Sequence, residues 1–154
     1  MHFLMAGYVF DEDIEQSIQE LSNVTFLGRV AYNEALLLPF RADVMFTFYD
    51  PSSEINRLAA SNKWFDAMMA GRPILVNSEL SKAPWIERED IGYLCPYGNA
   101  EDLSNRLSWI RNHPDEAMRK GQNGRSLYVE GLSWSVMEKR IYSTIDAVGG
   151  GGRA

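Results

Sequence analysis

Short apolar runs alternate with amphipathic stretches along nearly the whole chain. HFLMAG reads as a buried strand with its exit turn at Gly7. DEDIEQSIQELS then sets Ile14, Ile18 and Leu21 at helical spacing, with acids in the first turn, where the helix dipole favours them. VTFLG is a second strand stopped by Gly28, and Asn33 opens a helix carrying Leu36, Leu37 and Phe40. DVMFTFYDP is a third strand, ended by Asp50 and Pro51, and SSEINRLAA a loop or irregular segment. PILVN and YLCP read as the fourth and fifth strands, with SKAPWIEREDIG a short helix or loop between them. Three helical stretches, AEDLSNRLSWIRNH, PDEAMRKGQNGRSLYVEG and SWSVMEKRIYSTIDAV, close the chain. Apolar strands alternating with helices predict an α/β fold, a parallel sheet covered on both faces and, with right-handed crossovers, doubly wound. Such sheets bind ligands outside the carboxyl ends of their strands, which points to the segments after Gly7, after Gly28 and from Asp50 to Asp66.

At 154 residues the chain suits one domain, expected over 1–148, with a disordered tail over 149–154. Fifteen Lys and Arg against 21 Asp and Glu give a net charge of -6, which argues against a general nucleic-acid or anionic-membrane surface but leaves room for a local basic pocket. The single cysteine, Cys95, supports neither a disulfide framework nor a cysteine-rich metal site and points to a reducing compartment. No apolar run reaches the ~18 residues of a transmembrane span. MHFLMAGYVF is too short and lacks the basic flank of a signal peptide. His2 and His113 stand alone and read as surface residues, Cys95 as a core thiol, and the acids at 11–15 as a solvated helix start rather than a metal site.

The stretch SNKWFDAMMAGRPILVN, residues 61–77, raises the chemical question. Ser61 is placed as an N-cap, with Gly71 and Pro73 as the stop. Trp64, Ala67 and Met68 share one face and can meet the sheet, which leaves Asn62, Lys63 and Asp66 on or near the other side of the first two turns. The N-terminus of this helix therefore points to the ligand edge. Free N–H groups and the Lys63 charge suit phosphate, and the acceptor-only carboxylate of Asp66 suits two neighbouring ribose hydroxyls. The bland alternative stays open from spacing alone: Ser61 only caps, and Lys63 and Asp66 only solvate a helix.

The same stretch resembles the donor-binding signature of the family 4 glycosyltransferases with the GT-B fold, of the form S-[PS]-N-K-x-[FL]-E-x-M-x-x-G-x-P-[IV]-[IL]. NVTFLGRVAYNEALLLPFRADVMFTFYDP, REDIGYLCPYGNAEDLSNRLSWIRNHPD and RKGQNGRSLYVEGLSWSVMEKRIYSTI are similar to further family segments in the family's order, so the resemblance covers nearly the whole chain. It implies one half of a GT-B fold, the Rossmann-like C-terminal domain that holds the nucleotide sugar. HFLMAG matches that domain's second strand, so its first strand and the following basic glycine-rich loop are missing here. The family often shows two Glu eight positions apart. Asp66 stands at the second, the ribose ligand, and Leu58 at the first; a branch that keeps the Asn-Lys pair is closer.

The resemblance implies transfer of a sugar from a nucleotide donor with retention, without a bound metal or other cofactor. Ser61, Asn62, Lys63 and Asp66 would hold the donor, with N–H groups from Ala60 to Lys63 on the diphosphate. Gly28, Arg29 and Val30 would line the base pocket, and Tyr49 and Asp50 would border the sugar; no catalytic residue is assigned. Implied partners are a nucleotide sugar and an acceptor-binding N-terminal domain or partner chain, without which transfer is not expected. Self-association through the open sheet edge is a further expectation. Analogy within the branch suggests polysaccharide or glycan assembly and a cytoplasmic location, peripheral at the inner membrane face. The rival reading is a non-catalytic nucleotide-binding or interaction module that keeps the fold without the activity.

Overall fold

Ile74–Asn77, buried at all four positions, is the strand around which the larger part of the molecule is built. The computed structural model describes residues 1–149. It divides into two compact units, residues 1–42 and the remainder from Asp43. In the first unit, β1 (Phe3–Met5) pairs in parallel with β2 (Val24–Phe26), in the register Phe3 to Val24. Helix α1 (Glu12–Gln19) connects them, capped by Asp11, whose carboxylate accepts from the N–H groups of Asp13 and Ile14. After β2 the expected helix from Asn33 through Phe40 is broken. Helix α2 spans only Tyr32–Ala35, and a 3₁₀ turn, Leu38–Arg41, follows. Pro39 has no N–H to extend the α-helical ladder, so the chain tightens instead.

The second unit holds a parallel sheet of three strands in the order β3 (Met45–Thr47), β4 (Ile74–Asn77), β5 (Gly92–Cys95). Between β3 and β4 lie α3 (Glu54–Leu58), where a loop or irregular segment was expected, and α4 (Asn62–Ala70). Helix α5 (Ala83–Arg88) joins β4 to β5, and α6 (Ala100–Asn112) and α7 (Pro114–Leu127) follow. A π-type turn, Tyr128–Leu132, leads into α8 (Trp134–Gly149). The expected tail, Gly149 excepted, lies outside the described residues.

The core joins Trp64, Ala67 and Met68 of α4 to Ile74 and Val76 of β4, with Leu80, Ala83, Ile86 and Ile91. Close backbone approach is what two glycines allow here. A Cβ at Gly92 would lie 2.1 Å from the Ile74 carbonyl oxygen, and one at Gly121 would lie 2.2 Å from that of Gly71. Asp90 clamps α7 to the turn before β5: its carboxylate pairs with Arg119 and, at 2.5 Å, with Lys120, and accepts from the Asn123 amide. The Arg119 hydrogen bond, followed by Lys120, holds the Asp90 pKa below its ordinary value despite the opposing effect of burial.

The architecture is α/β with parallel strands, as the alternation predicts, but in two sheets. The pair has the order β1-β2 and the triplet β3-β4-β5.

Candidate functional site

The chain leaves β3 through Tyr49 and Asp50, whose main chains are tied down in different ways. The Tyr49 N–H donates to Asn77 Oδ1 at 3.0 Å, and Asn77 is fully buried. Its Nδ2 donates to Glu79, and a Glu79 oxygen accepts the Tyr97 N–H at 3.0 Å, so one buried amide links the carboxyl ends of all three strands. Burial pushes the Glu79 pKa up, but hydrogen bonds from the Tyr97 N–H, its own N–H, the Asn77 amide and the Ser78 side chain together outweigh it and the net shift is downward. Asp50 forms a turn: its carboxylate accepts the Ser52 N–H, its pKa is lowered by the Ser52 side chain and then by that N–H, and its carbonyl accepts from the Asn56 amide.

Helix α4 begins where this loop ends. Ser61 caps it, with Oγ accepting the Lys63 N–H at 3.2 Å, and Gly71 closes it in the left-handed conformation at φ 67°. Trp64, Ala67 and Met68 are buried as their spacing requires. Trp64 also donates its indole N–H to Thr47 Oγ1 of β3 at 2.8 Å, which fixes the helix start over the strand. Tyr49 Oη lies 2.9 Å from Ser61 Oγ and 3.4 Å from Lys63 Nζ.

These groups surround a cavity of about 240 Å³ lined by Tyr49, Asn56, Ala59, Ala60, Ser61, Asn62 and Lys63. Of the N–H groups expected to face a ligand, that of Lys63 is committed to the cap. Those of Ala60, Ser61 and Asn62 have no partner among the described residues. With the Lys63 ammonium they make the cavity complementary to an anion. A second cavity, about 340 Å³, lies between β5 and α6 and is lined by Leu94, Cys95, Pro96, Asp102, Asn105, Arg106 and Trp109. There the helix start is filled by its own Asn99 cap, and the Asp102 carboxylate opposes an anion.

Of the residues singled out in the sequence, Tyr49, Ser61, Asn62 and Lys63 meet at the smaller cavity. Asp50 turns into its own loop, and Asp66, one turn along α4, is half-buried and outside the lining. Burial raises the Asp66 pKa, with Lys63 pulling the other way. Gly28, Arg29 and Val30 follow β2 in the first unit, where Gly28 takes φ 61° and accepts the Gly7 N–H, and the Arg29 guanidinium stacks over Tyr8. Leu58 ends α3 and is 55% exposed. Asn56, Asn77 and Glu79 were not anticipated. Asn77 alone carried a signal, a polar residue closing an otherwise apolar buried strand, which must find partners. His2 and His113 lie at the surface, bonded to Thr25 and to the Trp109 carbonyl, and Cys95 is buried. No helix among the described residues is long and apolar enough to cross a membrane.

Solved structures share this fold. The chain aligns with a sucrose-phosphate synthase from Thermosynechococcus elongatus at 22% identity and a TM-score of 0.71, covering 94% of this chain and 38% of that one. With HepE of Anabaena in complex with UDP-glucose the values are 17%, 0.74, 95% and 41%. With WaaG, a glycosyltransferase involved in lipopolysaccharide biosynthesis, they are 20%, 0.68, 90% and 36%. No family model matches the sequence, and no curated protein does. The chain thus spans about two fifths of the length of these neighbours, which are GT-B glycosyltransferases, and its fold is that of one half of a GT-B enzyme.

Proposed function

We propose that the chain is the donor-binding, C-terminal-type half of a retaining glycosyltransferase of family 4, working in polysaccharide or glycan assembly and needing an acceptor domain to transfer sugar. The observation that carries this reading is the cavity at the start of α4, where Ser61, Asn62 and Lys63 face an anion-sized space beside Tyr49. Three free N–H groups and one ammonium suit a diphosphate, the part common to nucleotide sugars. The UDP-glucose bound by HepE, a neighbour of the same fold, supports the ligand class. In this reading the cavity stabilises a departing nucleoside diphosphate by fixed donors, a role that needs no metal. Asp66 serves the ribose from the next turn.

The rival reading, a binding module without catalysis, is favoured by one observation: exposed Leu58 stands where a carboxylate would be needed. Calorimetric titration with UDP, GDP and ADP tests both. Binding of one nucleotide, weakened about tenfold or more by Lys63→Ala, supports a donor site. No binding up to millimolar concentrations by the folded chain overturns it. Sugar transfer after addition of an acceptor domain then separates enzyme from module.

A further inference from the structure

We infer that Tyr49 is the positioning residue of this cavity: its phenol holds the Lys63 ammonium and orients the Ser61 hydroxyl, so that both act as donors to one diphosphate. The inference rests on the donor-site reading above and names the device that makes it work. Lys63 Nζ only donates, so at 3.4 Å the Tyr49 oxygen is the acceptor. Ser61 Oγ already accepts the Lys63 N–H. Either hydroxyl can donate across the 2.9 Å contact, and we take the Tyr49 O–H as the donor to Ser61 Oγ. Both acceptor positions of Ser61 are then filled, and its own proton is left for the cavity that it lines. Lys63, Tyr49 and Ser61 thus form a chain of donors ending on the ligand.

Tyr49 is suited to this task because it is itself fixed at both ends. Its N–H is held by the fully buried Asn77, and its ring packs on the core formed by α4 and β4. A lysine on the exposed first turn of a helix otherwise samples many rotamers, and ordering it would weaken binding. The phenol removes part of that cost before the ligand arrives.

Tyr49→Phe keeps the ring and removes the hydroxyl. Lysine-selective 15Nζ NMR of the full chain, without ligand, should show a Lys63 signal distinct from those of Lys82 and Lys139, assigned by its loss in Lys63→Met. In Tyr49→Phe it should move into their range. Affinity for UDP should fall about five- to tenfold while that for uridine stays unchanged, and in the Lys63→Met background the Tyr49→Phe effect should shrink below about twofold. An unmoved Lys63 signal, equal losses for UDP and uridine, or an effect independent of Lys63 would overturn the inference. A Lys63 signal that responds to Tyr49→Phe in a chain that binds no nucleotide would uphold the positioning and sink the donor-site reading instead.

Discussion

Removing the Trp64–Thr47 hydrogen bond tests how α4 is held over β3. Trp64 is 1% exposed, Thr47 is 4% exposed, and their contact is 2.8 Å. Trp64→Phe keeps a six-membered ring, so it should forfeit only part of the ~3–5 kcal/mol of a full truncation, about 1–2 kcal/mol. It also strands the Thr47 hydroxyl without its donor, which costs about 1–3 kcal/mol. The sum, roughly 2–5 kcal/mol, corresponds to a urea midpoint lower by about 1–2.5 M at a slope of ~2 kcal/mol/M. Thr47→Val strands the indole N–H instead and should cost about 1–3 kcal/mol. The double variant strands neither group. It should be less destabilised than the two singles summed by at least ~1 kcal/mol. Far-UV circular dichroism in urea reads all four proteins without relying on tryptophan emission. Additive costs, or a Trp64→Phe change below about 0.5 kcal/mol, would refute the pairing as the anchor. Because Ser61 and Lys63 stand on the first turn of the same helix, nucleotide affinity should fall with Trp64→Phe and recover in part in the double variant.

Gly121→Ala should destabilise by about 1–3 kcal/mol in the same assay, since a Cβ 2.2 Å from the Gly71 carbonyl oxygen overrides the ~1 kcal/mol helix gain from alanine; a more stable variant would contradict the close approach. The pH dependence should split by sign. Asp90, with its pKa lowered by Arg119, contributes stability that is present above 3.8 and lost as pH falls through its folded value, so Asp90→Asn should flatten the acid limb of the urea midpoint. Asp66, raised by burial, favours the fold below 3.8 and loses that contribution as pH rises through its folded value, so Asp66→Asn should raise the midpoint at neutral pH while weakening nucleotide binding. Hydrogen exchange should label residues 1–42 long before β4. Pro39 is the one buried residue among the described residues there, and Leu4, Leu21 and Leu27 are at least 40% exposed, so equal protection would show that the first unit has a stability its own packing does not supply.

The elements legible in the sequence are those whose cause is local. Ser61, Trp64, Ala67, Met68 and Gly71 define the start, face and end of α4 within eleven positions, and the structure keeps each role. The run at 74–77, apolar but for Asn77, is buried at every position, as a strand covered on both faces must be. The helix expected through Phe40 failed for an equally local reason that the apolar periodicity obscured, the proline at 39. Helix α3 is a different case. Its two apolar residues, Ile55 and Leu58, stay exposed, it has no side-chain cap, and its end is held from outside by the Ser81 N–H on the Arg57 carbonyl. A contact across 24 positions leaves no periodic trace.

The same distinction separates the parts of the candidate site. Ser61, Asn62 and Lys63 are adjacent, so the sequence could place them together. What turns them from a capped helix into a cavity is Tyr49, and what holds Tyr49 is Asn77, 28 positions away. The lining contains a cation, two side-chain amides, two hydroxyls and free N–H groups, but no carboxylate. Such a set can stabilise an anion and offers no carboxylate or imidazole as general acid or base. Binding of the anion draws only on the end of β3, held by Asn77 of β4, and on the start of α4. On the reading proposed above, donor binding and sugar transfer are separable, and the Lys63 and Tyr49 variants act on donor binding alone.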